Sequence, residues 1–597
     1  NCRLSASYVF VLKSYGSPTC GAEEKLSCGG GELHLIWSDD TIQNRTGETV
    51  ELYAKLWNGS AFAAELSNDA VGAGVNYSAG PVVRTSLAVD STGRPLVAWT
   101  DLAPGAPAIY ARANMFEITG AVYPADGGTS VQSILDGNVL GAGDVIHVVG
   151  TQGVGFTVTS ADAGVTIIGS AGVTVNWPVV INIADNVTIQ DLWMIDVLTV
   201  TSSANFTLRT SNLTAAVTID GGSDAQIAGN VMSPGTTALT LTGATVSPVV
   251  AYNTISAGVH GIVINGGGAT DVLIGWNTIT AVGTGIYVQV ASGGQIVGND
   301  IDAGLIGLNL AAAFGSVIED NDIHGADVGL AYSAPATVSN NRIYDNITGV
   351  VATVDSDVDG FGFVQPADPN EISGNTTGVD LTGRMQDQYI HDNDTGVEGS
   401  GILGPSEIDL ANVIEANIVG VDFDGEVRFN RIVGNTTGID ANSGQFIAHN
   451  VIYRNTSVAI HVTNESDVRI VNNTLYAAVG DNIRIESTSS DVQVLNNILW
   501  AEAGYDIYVD NNSQSGFWSN YNDLHAGAGG TLVYWTKDFT DVLDWQEDAY
   551  QYGLNSIGRT DVNPLWSEPR FYNLAWDDYR IFDLTAGQRF SSPTIDA

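Results

Sequence analysis

Apolar and polar residues alternate in bursts of three to five along most of the chain, and from about residue 225 the bursts fall into a repeat. An asparagine stands two places before an apolar residue at Asn230-Val-Met, Asn253-Thr-Ile, Asn277-Thr-Ile, Asn299-Asp-Ile, Asn321-Asp-Ile and Asn341-Arg-Ile. It returns at Asn430, Asn450, Asn473 and Asn497, with most steps 20 to 25 residues long and an insertion around 353–370. A second alternation follows each asparagine and often opens with glycine, as in Gly261-Ile-Val-Ile, Gly285-Ile-Tyr-Val, Gly307-Leu-Asn-Leu and Gly378-Val-Asp-Leu. Later copies replace the glycine, as in Ala459-Ile-His-Val, Asn482-Ile-Arg-Ile and Asp506-Ile-Tyr-Val. A period of two is the signal of a strand, and glycine makes the sharp corner between strands.

Two or three short strands in about 23 residues cannot bury an apolar face alone. Coiled on one another at about 4.8 Å, they bury a continuous apolar column. The same stacking sets each asparagine over the next, so their amides can bond as a ladder. The pattern predicts an all-β chain dominated by a parallel β-helix, roughly 16 turns between about residues 145 and 510. A short helix around Ser130–Leu135 is expected to cap its first turn, and Gly143-Asp-Val-Ile-His-Val-Val149 to be the first inward strand.

The closing stretch, Thr560-Asp-Val-Asn-Pro-Leu-Trp566 through Ser592-Pro-Thr-Ile-Asp-Ala597, resembles the segment that seals the last turn in right-handed parallel β-helix proteins of the pectate-lyase-like superfamily. The resemblance covers about residues 120–597 and implies the fold. It implies no single activity, because that superfamily holds lyases, hydrolases, epimerases, adhesins and structural spikes. The motifs its enzymes carry are missing: there is no N-T-D, G-H-G, R-I-K or D-P-H-E, and residues 56–536 contain no lysine.

The first part of the chain differs. Leu33-His-Leu-Ile-Trp37 and Pro95-Leu-Val-Ala-Trp99 look like two copies of one unit, each followed by a Tyr-Ala strand at Tyr53 and Tyr110. They resemble propeller-blade repeats of secreted bacterial proteins, and two blades do not close a propeller. The expected layout is an N-terminal strand and cysteine segment (1–29), two blade-like repeats (30–118), the right-handed parallel β-helix (119–512) and an aromatic-rich cap (513–597). The C-terminal tryptophans are expected to form a lid over the last turn.

Charge narrows the partners. Asp and Glu number 66 against 21 Lys and Arg, a formal net charge of −45. Such a surface repels phosphate backbones, so no nucleic-acid partner is expected. No apolar run reaches the length of about 18 residues that a membrane helix needs. Cys2, Cys20 and Cys28 are disulfide candidates and fit an oxidising, extracellular location. Asn-x-Ser/Thr sequons are frequent, with Asn44, Asn58 and Asn76 as glycosylation candidates and Asn186 and Asn205 beside them.

In an Asn-x-Ile strand the residues flanking the isoleucine face outward. Stacked turns then gather Asp300, Asp302, Asp322, His324, Arg342 and Tyr344 on one patch, where carboxylates beside a histidine suit acid–base work on a glycan or the holding of a cation, against the plainer reading of a solvated acidic face relieved by one arginine. Asp355, Asp357 and Asp359, at alternate positions before Gly360, resemble a calcium loop without its closing glutamate, making calcium the one candidate cofactor. The expected function is a secreted, non-catalytic structural or adhesive surface protein that self-associates or binds another surface protein. The alternative is a carbohydrate-active enzyme or glycan-binding module on the β-helix face, with a polysaccharide as partner.

Overall fold

The computed structural model describes residues 120–581 except 127, 171, 354–359, 363–367, 407–409, 550–555, 561–568 and 570, and the backbone of strands between 24 and 113. Those early strands form two antiparallel sheets. In one, Glu32–Asp39 pairs with Glu51–Trp57 so that Trp37 opposes Tyr53; in the other, Pro95–Asp101 pairs with Ala108–Ala113 so that Trp99 opposes Tyr110. The blade reading rests on side chains outside the described residues, as do the disulfide candidates Cys2, Cys20 and Cys28, the sequons at Asn44, Asn58 and Asn76, and Asp355, Asp357 and Asp359.

The rest is a right-handed parallel β-helix of about 18 turns. The chain falls into two units, Asn1–Ser256 with Gly275–Thr278 and Ala257–Ile274 with Ile279–Ala597. In the first, helix Val131–Gly137 carries Ser130 as its N-cap and buries Val131, Ile134 and Leu135. Each coil then contributes three short parallel strands, for example Thr188–Gln190, Trp193–Met194 and Leu198–Thr201, each paired with its counterpart one coil on. Ile146, Ile167, Ile189, Leu208 and Ile227 stack in the core with no exposed surface. Coils here are only 19 residues long, the separation of Asn186 from Asn205 and of Ser211 from Asn230. The expected 16 turns covered residues 145–510 alone, and the register continues beyond them through Trp518–Asn520 and Asp523–Tyr534.

The second unit is held by two amide ladders. In one, each Nδ2 donates to the next Oδ1 from Asn299 to Asn321, Asn341 and Asn370, at 2.8–2.9 Å. Gln388 takes the next place at 2.9 Å, and Asn412, Asn430, Asn450, Asn473, Asn497 and Asn522 continue the row. The other ladder runs Asn346, Asn375, Asn393, Asn417, Asn435 and Asn455 at 2.9–3.1 Å. Glycine opens the following strand because the next coil leaves no room for a Cβ: at Gly285 and Gly307, before the second ladder begins, it would meet an isoleucine Cγ2 at 2.3 Å and the next glycine's carbonyl oxygen at 2.5–2.6 Å. A Cβ on Gly378 would sit 2.5 Å from the Gly396 carbonyl oxygen and 3.0 Å from Asn393 Nδ2. Where that ladder ends, the glycine position becomes Ala459, then Asn482, then Asp506, all buried.

The ladder also changes the meaning of the sequons. Asn346, Asn375, Asn393, Asn435 and Asn455 each begin an Asn-x-Ser/Thr triplet, yet all are buried. Asn186 and Asn205 are exposed, one coil apart, with Asn205 Nδ2 donating to Asn186 Oδ1 at 3.0 Å.

At the C-terminal end, Trp518–Asn520 and Asp523–Tyr534 continue the parallel register, and Trp545 on helix Val542–Ala549 is fully buried. The hairpin of Phe571–Asn573 and Asp578–Ile581 departs from the expected lid. It lies against the side of the coils, where Phe571 and Tyr579 form one apolar cluster with Val433, Tyr453 and Trp500. Arg454 pins it through Asp577 at 2.8 Å, while Trp576 is 84% exposed.

Candidate functional face

Two outward rows run down the strands that follow the first ladder. Register places Asp300, Asp322, Arg342, Glu371 and Tyr389 on successive coils of one row. Asp302, His324, Tyr344, Ser373, His391 and Glu415 form the other. All six residues singled out from the sequence thus share one face, because the isoleucine between each pair points into the core and is buried.

The face is a connected polar network. His324 Nε2 meets Asp300 Oδ1 at 2.9 Å, and the His324 ring stacks on Tyr344 at 5.1 Å. Arg342 contacts Asp322 at 3.1 Å and Glu371 at 3.7 Å, with its guanidinium 5.0 Å from the Tyr344 ring centre. Glu371 also meets His391 Nε2 at 3.2 Å, and His391 Nδ1 meets Asp392 at 2.8 Å. The His391 ring stacks on Tyr389 at 4.3 Å, and the Tyr389 hydroxyl donates to Glu415 at 3.2 Å. Burial, with the Glu415 charge and hydrogen bond, pushes the Tyr389 phenol up to about 12, so it stays a neutral donor at physiological pH. Burial, reinforced by Asp322, also raises Tyr344.

Glu371, Tyr389, His391 and Glu415 were not found from the sequence. They lie beyond the insertion, where the repeat resumes as Asn370-Glu-Ile and continues as Gln388-Tyr-Ile and Asn412-Val-Ile. Gln388 breaks a search keyed on asparagine while its amide preserves the ladder. The signal was present as a polar amide two places before isoleucine.

Among the described residues no three His, Cys, Asp or Glu side chains are grouped to hold a metal ion, and no helix is long and apolar enough to cross a membrane.

The model of the right-handed β-helix region matches residues 237–395 and 407–543, and that of the periplasmic copper-binding protein NosD matches 149–313. Residues 149–313 hold no cysteine and one histidine, His260, while Met194 and Met232 are buried in the core. No curated protein sequence matches significantly. Among solved structures, the A-module of a mannuronan C-5 epimerase from Azotobacter vinelandii is 15% identical, covering 63% of this chain and 97% of that one, with a TM-score of 0.22. A family 28 exopolygalacturonase from Yersinia enterocolitica is 8% identical over 78% and 99%, with a TM-score of 0.23. Tailspike protein 3 of bacteriophage CBA120 is 12% identical over 74% and 66%, with a TM-score of 0.17. Superpositions this loose carry no argument about the face; the fold rests on strand pairing and the family match.

Proposed function

We propose that the chain is a secreted or cell-surface protein whose β-helix presents a glycan-binding face along residues 300–415. The network from Asp300 to Glu415 carries this reading. It combines two tyrosine rings with carboxylate, imidazole and guanidinium groups, a set suited to sugar hydroxyls, on strands whose backbones are fixed by amide ladders.

Binding is favoured over hydrolysis. A glycosidase sets two carboxyl groups on either side of the scissile bond, one of them as a proton donor. Here Asp300, Asp322 and Glu371 are each engaged by His324, Arg342 or His391. The expectation of a self-assembling spacer draws on residues 1–118 and gains no support from the coils.

A glycan array probed with the full chain tests the proposal. Tyr389→Ala, which removes both the ring and the donor to Glu415, is expected to weaken binding at least about tenfold. Bound glycans should release no new reducing ends. Unchanged binding by Tyr389→Ala would remove the face from the function, and cleavage abolished by Asp300→Asn or Asp322→Asn would make the protein an enzyme.

A further inference from the structure

In the first unit the corresponding outward rows have a different chemistry. One row carries Thr174, Trp193, Asn212, Val231 and Thr254 on successive coils. The other carries Asn176, Ile195, Thr214, Ser233 and Ser256; Thr214 N–H donates to the Met194 carbonyl, and Ser233 N–H to that of Leu213. Nine of these ten side chains are exposed and Thr174 is half-buried. Not one is charged, in a chain whose formal net charge is −45.

Apolar surface on the strip comes from Trp193, 44% exposed, with Ile195 just past its strand and Trp177 at the preceding corner, and from Val231 two coils on. Amides and hydroxyls surround it: Thr174 and Asn212 flank Trp193 on the coils to either side, about 4.8 Å away along the stack. Asn212 offers an amide donor and acceptor, and Thr214 a hydroxyl. An indole bordered by neutral hydrogen-bonding groups offers a stacking surface for the apolar face of a sugar ring and partners for its hydroxyls. A charged ligand would find no countercharge on these rows, and a polyanion would also meet the repulsion of the chain.

We propose that this strip is a second binding site, centred on Trp193 and Asn212, for an uncharged oligosaccharide. It stands independently of the face at residues 300–415.

Affinity electrophoresis of the full chain in gels containing dextran, a mixed-linkage β-glucan or a galactomannan tests it. At least one of these neutral polymers should retard the wild type. Trp193→Ala should weaken that retardation at least about tenfold, and Trp193→Phe should keep most of it. Asn212→Asp, close in size and exposed, should weaken it too, which separates loss of the site from loss of the fold. Tyr389→Ala should leave it unchanged. Failure of all three polymers to retard the wild type, or retention of retardation by both Trp193→Ala and Asn212→Asp, overturns the proposal. Sedimentation showing that Trp193→Ala converts a dimer to a monomer would also overturn it, by assigning the strip to a second copy.

Discussion

Asn393→Ala should lower the stability of the second unit by about 3–5 kcal/mol, a severe loss for one side chain. Asn393 is buried in mid-ladder. Its Oδ1 accepts from both the backbone N–H and the Nδ2 of Asn375, at 2.9 and 3.0 Å. Its Nδ2 donates to the Ile372 and His391 carbonyl oxygens and to Asn417 Oδ1. Alanine removes all of these at once and leaves donors and acceptors in a place with little room for water, where each orphan costs about 1–3 kcal/mol. The neighbouring glycines have no Cβ with which to fill the space. Urea unfolding followed by circular dichroism and fluorescence measures the effect, and a loss below about 1 kcal/mol would show that the ladder is dispensable. Asn393→Asp should not rescue it, because a carboxylate cannot donate to the two carbonyls.

Asp506→Asn should do the opposite and stabilise the protein at neutral pH. Asp506 occupies the glycine position of its coil, with no exposed surface, and accepts from Asn482 Nδ2 at 2.9 Å while its Oδ2 has no partner among the described residues. Burial raises its carboxyl well above the ordinary 3.8, and the nearby charge of Asp523 raises it further. Asp523, with neither carboxylate oxygen partnered among the described residues, is itself raised by burial. The sign follows from proton binding. Above the ordinary carboxylate range the native state keeps these protons and the unfolded state loses them, so the native state binds more and stability falls as pH rises. The contribution is full in acid, below the unfolded value of 3.8, and is lost as pH climbs toward the folded one. Each such group contributes a slope of about 1.4 kcal/mol per pH unit within that window. An asparagine side chain at this position would keep the acceptor for Asn482 and carry no charge at any pH. Unfolding midpoints of wild type and variant across pH 4 to 8 should therefore diverge, the variant being the flatter and, at pH 7, the more stable. Parallel curves would mean that water or an ion already compensates Asp506.

Much of the fold was legible because it is written in a local period. The inward isoleucine of Asn-x-Ile, the outward residues beside it and the glycine at the corner are consequences of a two-residue alternation, and in-register stacking repeats them. For the same reason Asp300, Asp302, Asp322, His324, Arg342 and Tyr344 could be placed on one face before any coordinates. The continuation of that face to Glu415 was hidden by the insertion and by Gln388, which disturb the spacing but not the hydrogen bonds.

By itself the sequence determined the parallel coil, the asparagine ladder and which side of each strand faces water, since these follow from periodicity and the need to satisfy buried amides. Only the tertiary structure decided the rest. It showed that the glycines yield to the backbone of the next coil, that a second ladder runs beside them from Asn346 to Asn455, that Asp506 enters the core beyond it, and that the C-terminal hairpin lies along the side of the coils. Each depends on which atoms fill the space left by residues distant in the chain, and a one-dimensional period carries no record of that space.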